Sequence, residues 1–448
     1  MSSAAAMNDA ASASGGVKRK WESGVGTPLP HVVQGKAYLD WNATSPIFPE
    51  VAEAVAPFFA TEFGNPSSDH CFGAPSRAAV ATARAQVAEL MGCEVGEVVF
   101  CGCGSEADTM ALRSGVALGR KSLAAGSKPH VISSAIEHVA VSVCLDAMQA
   151  AGELEVTYVG VDGEGRVDPA AVAAVVKATT VLVSVMHSNN EVGTIQDIRA
   201  IAHAARAARR ALGGPGAEEL LVHTDAAQSV GKVPMKPKEI DADLATIVGH
   251  KFGAPKGIAA LYVRKGVALP SLLLGGGQES GRRAGTEAVP MIVALGTAAG
   301  VVCRELPAIA AHMRACCDEL HAALVAGLGA DRLRINGPAL SEGDDRRLPN
   351  TLSVGIRGAA AGAVLAELSA ANVAASASAA CHASDAAHCQ VSFVLRAMKV
   401  PDDFALGTLR LSVGRHTTSQ EIKHAASAIV ASVLHTKGKK AEQQAGPR

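Results

Sequence analysis

The sequence predicts an α/β fold: a large unit whose mainly parallel sheet is sandwiched by helices, with a smaller α+β unit attached. Three observations carry that expectation. Across residues 52–300, short β-branched runs alternate with Ala-rich segments of helical period, the pattern of strands joined by crossover helices. Those runs are apolar at consecutive positions, as strands covered on both faces are. Beyond residue 300 the rhythm changes to one long helical segment and scattered strands, a different layer arrangement. With 448 residues, 48% of them hydrophobic, the chain has ample material for a large buried core.

Residues 1–35 read as a disordered N-terminal tail rich in Ala, Ser and Gly, with a short basic run, Lys18-Arg19-Lys20. Strands are expected at Val98–Phe100, Val131–Ile132, Val156–Val159, Val181–Met186, Leu220–Val222, Leu244–Val248 and Ile258–Val263. Helices are expected at Arg77–Leu90, Ala107–Leu118, Ala140–Ala151 and Ile198–Ala211. The later unit has a helix over Ala308–Leu328, strand-like runs at Thr351–Val354, Val373–Ser376 and Leu409–Val413, and a final helix over Ser419–Val433. The expected division is a large domain over 52–300, a small domain from 36–51 and 301–437, and a flexible C-terminal tail over 438–448.

Composition removes several classes of function. Lys and Arg number 41 against 42 Asp and Glu, a net charge of −1. Nucleic-acid binding needs clustered cations, so it is not expected. The longest apolar stretch without a charge, Ala288 to Cys303, falls short of the ~20 residues of a spanning helix, so no membrane span is expected. Ten cysteines are too sparse for a disulfide scaffold, and the polar N-terminus has no signal-peptide core. Reduced thiols in the cytoplasm are the expectation, with nuclear targeting as the alternative use of the basic run.

Ligands of open parallel sheets bind beyond the carboxyl ends of the strands, so the polar groups after each strand are the candidates. Cys101-Gly102-Cys103-Gly104-Ser105-Glu106 precedes a helix, a glycine-containing helix start that suits an anion. Its Cys-x-Cys pair can alternatively hold a metal. Asp225, in His223-Thr224-Asp225-Ala226-Ala227-Gln228, ends one strand, and Lys251, in Gly249-His250-Lys251, follows the next. An acid for a protonated ring nitrogen and a Schiff-base lysine are the two groups that pyridoxal 5'-phosphate (PLP) requires. His138 follows another strand, where an imidazole can stack on a ring and move protons, or can be a plain surface histidine. Ser188-Asn189-Asn190 offers amides to a cofactor oxygen. The turn Gly275-Gly276-Gly277, leading to Arg282-Arg283, suits a phosphate or an interface. Cys381-His382 lies in a small-residue loop, where a thiol is either reactive or simple packing. With His388-Cys389 it also has metal-like spacing, and with Cys101 and Cys103 it suggests a metal or redox binding module as the alternative class.

Taken in order, these motifs resemble the class V, PLP-dependent cysteine desulfurases and, more closely, the selenocysteine lyases. The resemblance runs from Tyr38-Leu39-Asp40-Trp41-Asn42-Ala43-Thr44 through Phe63-Gly64-Asn65-Pro66-Ser67, His223–Lys232, Gly249–Gly257 and Gly275–Glu279 to the final helix. It implies a PLP-dependent transferase of fold type I. By position, Lys251 is the cofactor lysine, His138 stacks on the ring, Asp225 pairs the ring nitrogen and Gln228 the phenolic oxygen. Asn190 and Arg410 take the substrate carboxylate. Gly104, Ser105 and His250 hold the phosphate, and Thr286 reaches the phosphate of a partner subunit, which implies a homodimer with a shared active site. Cys381 matches the mobile-loop thiol, as nucleophile or proton donor. The Ala-Cys-His of that loop follows the selenocysteine-lyase pattern, so the expected reaction is release of selenium from L-selenocysteine as L-alanine forms. The alternative is a cysteine desulfurase passing sulfur to an acceptor protein. Two departures stand out: Cys101-Gly102-Cys103 replaces the usual phosphate-loop residues, and Val248 stands where many relatives carry a serine.

Overall fold

The computed structural model describes residues 24–26, 35–340, 345–377 and 391–445. The expected N-terminal tail, with its basic run, lies almost wholly outside the described residues. Within it, the Gly26 amide donates to Arg415 O at 2.7 Å. Cys381, His382, His388 and Cys389 also lie outside the described residues.

The strands are β1 (Ala37–Tyr38), β2 (Val98–Cys101), β3 (His130–Ser134), β4 (Glu155–Val159), β5 (Thr180–Ser184), β6 (Leu221–Asp225), β7 (Leu244–Val248), β8 (Ala259–Val263), β9 (Leu333–Ile335), β10 (Thr351–Ile356), β11 (Val373–Ala374), β12 (Ser376–Ala377) and β13 (Thr408–Ser412). The helices are α1 (Pro49–Val55), α2 (Gly73–Met91), α3 (Gly104–Arg120), α4 (Val139–Ala150), α5 (Pro169–Ala174), α6 (Ile198–Leu212), α7 (Val289–Leu328), α8 (Ala361–Ala370), α9 (Phe393–Ala397), α10 (Asp402–Ala405) and α11 (Ser419–Ala445).

Among the described residues, a 7-stranded sheet has the order β2-β8-β7-β6-β5-β3-β4. Strand β8 is antiparallel to both neighbours, and the remaining strands run parallel to one another. The unbroken apolar runs follow from burial on both faces. Val98 and Phe100 turn toward α2 and α7, whereas Val99 and Cys101 pack against Ala107, Met110 and Ala111 of α3. On the β3–β5 side, Ile132 and Val183 meet Ile198, Ile201 and Ala205 of α6.

A 4-stranded sheet, β12-β13-β10-β9, is antiparallel throughout. Strand β1 pairs in parallel with β11, and Asp40 bridges to Ser412 of β13. The segment before α2 therefore spans both cores: Ala37 and Leu39 join the core under the smaller sheet, while Phe48 and Val51 join that of the larger.

Helix α7 departs from expectation. The sequence suggests a fresh start at Ala308, yet α7 runs for 40 residues through Pro307. Proline removes one helical hydrogen bond and crowds the preceding turn; burial on either side of it outweighs that cost. Ile292 to Val302 lie in the large core, and Ile309 to Leu328 in the small one. By length and composition α7 could cross a membrane, contrary to the sequence expectation, but its apolar residues form the protein's own core. Helix α11 likewise continues to Ala445, beyond Val433 and over most of the segment expected as a flexible tail.

Candidate active site

Strands β3, β5, β6 and β7 end along one edge of the large sheet, and the N-terminus of α3 opens on the same edge. Together they enclose a cavity of about 250 Å3 lined by Gly104, Ser105, His138, Asn190, Asp225, Gln228, His250 and Lys251. Eight positions chosen from sequence thus share one space.

Lys251 is placed by the short helical turn Gly249–Lys251 that ends β7. A Cβ at Gly249 would lie 2.9 Å from Ile258 Cγ2, so only glycine lets the chain turn this tightly against β8. Lys251 Nζ donates to Asn42 O at 2.7 Å and to Ala43 O at 2.9 Å. Next to it, His250 Nδ1 pairs with Thr44 Oγ1 at 3.2 Å. Burial, with Lys251 and Lys256 nearby, pushes the His250 imidazole down to about 4, so it is neutral near pH 7 and meets a ligand as a hydrogen-bonding group.

Asp225 is the last residue of β6 and is 6% exposed. Its Oδ1 accepts from Ala227 N at 2.9 Å. Burial raises its proton affinity above the ordinary carboxylate range, while His138 and Lys251 oppose that. A protonated ring nitrogen at this strand end would supply the cation that the carboxylate favours. His138 caps α4, its Nδ1 accepting from Ala140 N at 3.2 Å. Burial lowers its pKa, so the neutral ring carries its proton on Nε2.

Helix α3 starts without a side-chain cap: Cys103 is extended at the N-cap, and Gly104 and Ser105 follow. Uncapped amides and the helix dipole together suit a phosphate. A Cβ on Gly104 would come within 2.6 Å of Val248 Cγ2. Val248 thus supplies a wall for the cradle instead of a hydroxyl.

Arg410, on β13, is 4% exposed and approaches from the smaller sheet without itself lining the cavity. It donates from Nη2 to Asp40 Oδ1 at 2.7 Å and from Nη1 to Asn190 O at 3.3 Å. Among the described residues its Nε has no hydrogen-bond partner. Thr286 lies elsewhere, exposed on a separate crevice with Gly102, Glu279 and Arg283. The arginines of the Gly-rich turn are engaged within the chain: Arg283 pairs with Glu106 at 2.7 Å, and Arg282 donates to Gly96 O at 2.9 Å.

Three residues were not singled out from sequence. Asn42 is a hub: its Nδ2 donates to Thr351 Oγ1 (2.8 Å) and Asn190 O (3.2 Å), and its Oδ1 accepts from Asn350 Nδ2 (2.9 Å). Lys232, at the end of a recognised motif, is buried beneath Gln228. Asp108 lines the cavity, and burial together with Asp225 holds its proton affinity well above the ordinary range. Asn42 carried a local signal only through its neighbours in the Tyr38–Thr44 motif. Lys232 carried one only as the last residue of the His223–Lys232 motif and Asp108 carried none, because each reaches the site through tertiary contacts.

A buried acid at the ring-nitrogen position, a lysine beside it, a neutral imidazole and an uncapped helix behind a glycine cradle match the parts of PLP, so the residues present fit that cofactor. The comparisons agree. The chain belongs to the aminotransferase class-V family, which matches residues 37–424. Proteins of this family depend on PLP, and the fold is the type I fold of PLP enzymes. The chain is 39% identical over 385 residues to the cysteine desulfurase of Trichormus azollae, across 86% of this chain and 90% of that one. Among solved structures it is similar to a NifS-like protein, with TM-score 0.76 and 31% identity, over 88% of this chain and 98% of the other. It is also similar to SspA in complex with cysteine, with TM-score 0.68 and 29% identity, over 85% and 100% of the two chains.

Proposed function

We propose that this chain is a PLP-dependent cysteine desulfurase that releases sulfur from L-cysteine with L-alanine as the second product. The observation that carries the reading is the single cavity uniting Lys251, Asp225, His138, Gln228 and the α3 N-terminus. Relatives named cysteine desulfurase support the choice of substrate, and they favour it over the selenocysteine expected from the loop sequence. The selenocysteine reading keeps two specific supports, the Ala380-Cys381-His382 sequence and the Leu409–Arg415 segment.

When bound, PLP supplies an electron sink for bonds broken at the substrate Cα. The chain's residues do the rest. Lys251 Nζ, held by two carbonyls at the cavity wall, is the amine that takes and returns the Cα proton. Arg410 Nε and the Asn190 amide hold the substrate carboxylate, with Asp40 fixing the guanidinium plane. The Cys381 thiolate attacks the substrate sulfur, an S–S bond forming as the Cβ–S bond breaks, and the electron pair of that bond passes to Cβ, which takes a proton offered by His138 Nε2–H. The same reading makes the chain a homodimer, with Thr286 reaching the partner's phosphate site and an acceptor protein collecting sulfur.

Alanine formation measured separately from L-cysteine and L-selenocysteine tests the assignment. Turnover of both substrates, lost in Lys251→Ala and Cys381→Ala, is the expected result. Turnover of selenocysteine alone would overturn the desulfurase reading in favour of the lyase.

A further inference from the structure

Lys232 stands in the turn after β6 and is 3% exposed. Its Nζ donates to Gln228 Oε1 at 2.6 Å and to Asn42 Oδ1 at 3.1 Å, both neutral amide oxygens. Burial first, then Lys251 and Arg410, pushes its pKa well below the ordinary lysine range. A lysine amine buried against amides gains less than one paired with a carboxylate, and an apolar side chain would cost less to bury. Its chemistry nevertheless has one property the site uses. In either protonation state the amine brings N–H groups to both oxygens, and the ammonium form can only donate.

That property decides which way the Gln228 amide faces. Oε1 is taken by Lys232, and Nε2 donates one hydrogen to Asn42 O at 2.9 Å. A primary amide has two N–H groups, so the second is left for the cavity that Gln228 lines. We propose that Lys232 is a positioning residue that locks the Gln228 amide, so that the cavity meets an N–H donor and never the carbonyl oxygen. This rests on the reading of Lys251 and Gln228 as cofactor-facing groups. A donor fixed at that point favours an ionised oxygen on the ring beside Lys251 and lowers the proton affinity at Lys251 Nζ once the cofactor is bound. With Lys232 removed, the amide is free to rotate and present its oxygen, which has the opposite effect.

The measurement is the pH titration of the bound cofactor's absorbance in the full-length holoenzyme. Asp225, His138, His250 and Lys232 face Lys251, Cys103 and Asp108 line the same cavity from the start of α3, and Lys251 and Arg410 face Lys232. His187, Arg314, Asp345 and Arg347 line the space behind Lys232. All of these but Lys232 are retained in the Lys232 and Gln228 variants. Lys232→Met is expected to raise the titration midpoint by about one pH unit, a tenfold change in proton affinity. Gln228→Leu is expected to raise it similarly, and the double variant no further, since both act on one group. Lys232→Arg, a side chain that only donates, restores the midpoint. If Lys232→Met does not fold, Lys232→Gln, which adds an acceptor beside the donor, reads the same midpoint.

A lowered melting temperature with an unmoved midpoint, or shifts that add in the double variant, would overturn the inference. Should Lys251→Ala keep the wild-type absorbance, or Gln228→Leu leave the midpoint unmoved, the reading of the site fails first and the inference with it.

Discussion

At the scale of single residues, Gly104 shows how a missing side chain shapes chemistry. The space that a Cβ would need is filled by Val248, 2.6 Å away, well inside van der Waals contact. Gly104→Ala must therefore push either α3 or β7 away from the phosphate position, an overpacking strain of about 1–3 kcal/mol. Cofactor affinity is expected to fall about tenfold or more, and Gly104→Ala combined with Val248→Ala is expected to recover most of it. Equilibrium dialysis with PLP reads both, and no recovery in the double variant would contradict the steric account.

Glu137 makes a second residue-scale prediction. Its Oε1 accepts from Met186 N at 2.9 Å and from the Ser134 hydroxyl, while among the described residues Oε2 has no partner. Burial pushes its pKa up to about 8, above the ~4.3 of a free glutamate. Its contribution to stability is full below the unfolded value and is lost as pH rises through about 8. Glu137→Gln keeps the acceptor and removes the titration, so its melting temperature should gain on the wild type between pH 5 and 8. A constant difference across that range would show that Glu137 does not titrate there.

At the scale of elements, the strands were legible because consecutive Val, Ile and Leu with both faces buried leave few other structures open to them. Asp225 and Lys251 were legible for the same reason, since Asp225 ends one such strand and Lys251 ends the short turn after the next. Helix α7 was not, because Pro307 mimics a boundary that only the two flanking cores override. Asn42 was not either: its partners Thr351, Asn350 and Ser412 meet it only after the chain has folded. Arg415 is another long-range joint of this kind. It is 1% exposed and pairs with Glu50 and Glu305, both at 2.8 Å, while its guanidinium lies 4.8 Å over the Phe48 ring. It thereby ties the segment after β13 to α1 and α7. Arg415→Ala leaves two carboxylates facing each other, and a loss of about 3–5 kcal/mol is expected in denaturant unfolding. A loss below about 1 kcal/mol would mean the pairs behave as surface bridges.

At the scale of the whole molecule, α7 is common property of two cores, about 60 Å of helix at 1.5 Å per residue. Neither core can lose it and remain packed. Calorimetry of the chain should therefore show one main transition, and two resolved peaks would mean that Pro307 uncouples the halves.

The position of Asn42 also sets a clock. Its amide hydrogen bond to Ser412 Oγ closes across 370 residues, and its carbonyl is what holds Lys251 in place. At roughly 5–20 residues per second, a ribosome needs about 20–75 s to travel between those two positions. From residue 251 to residue 412, about 8–32 s at that rate, the nascent chain carries strand β7 and its lysine with no completed wall around them. Capture of the cofactor in its working geometry is thus an event of the last stage of synthesis or later.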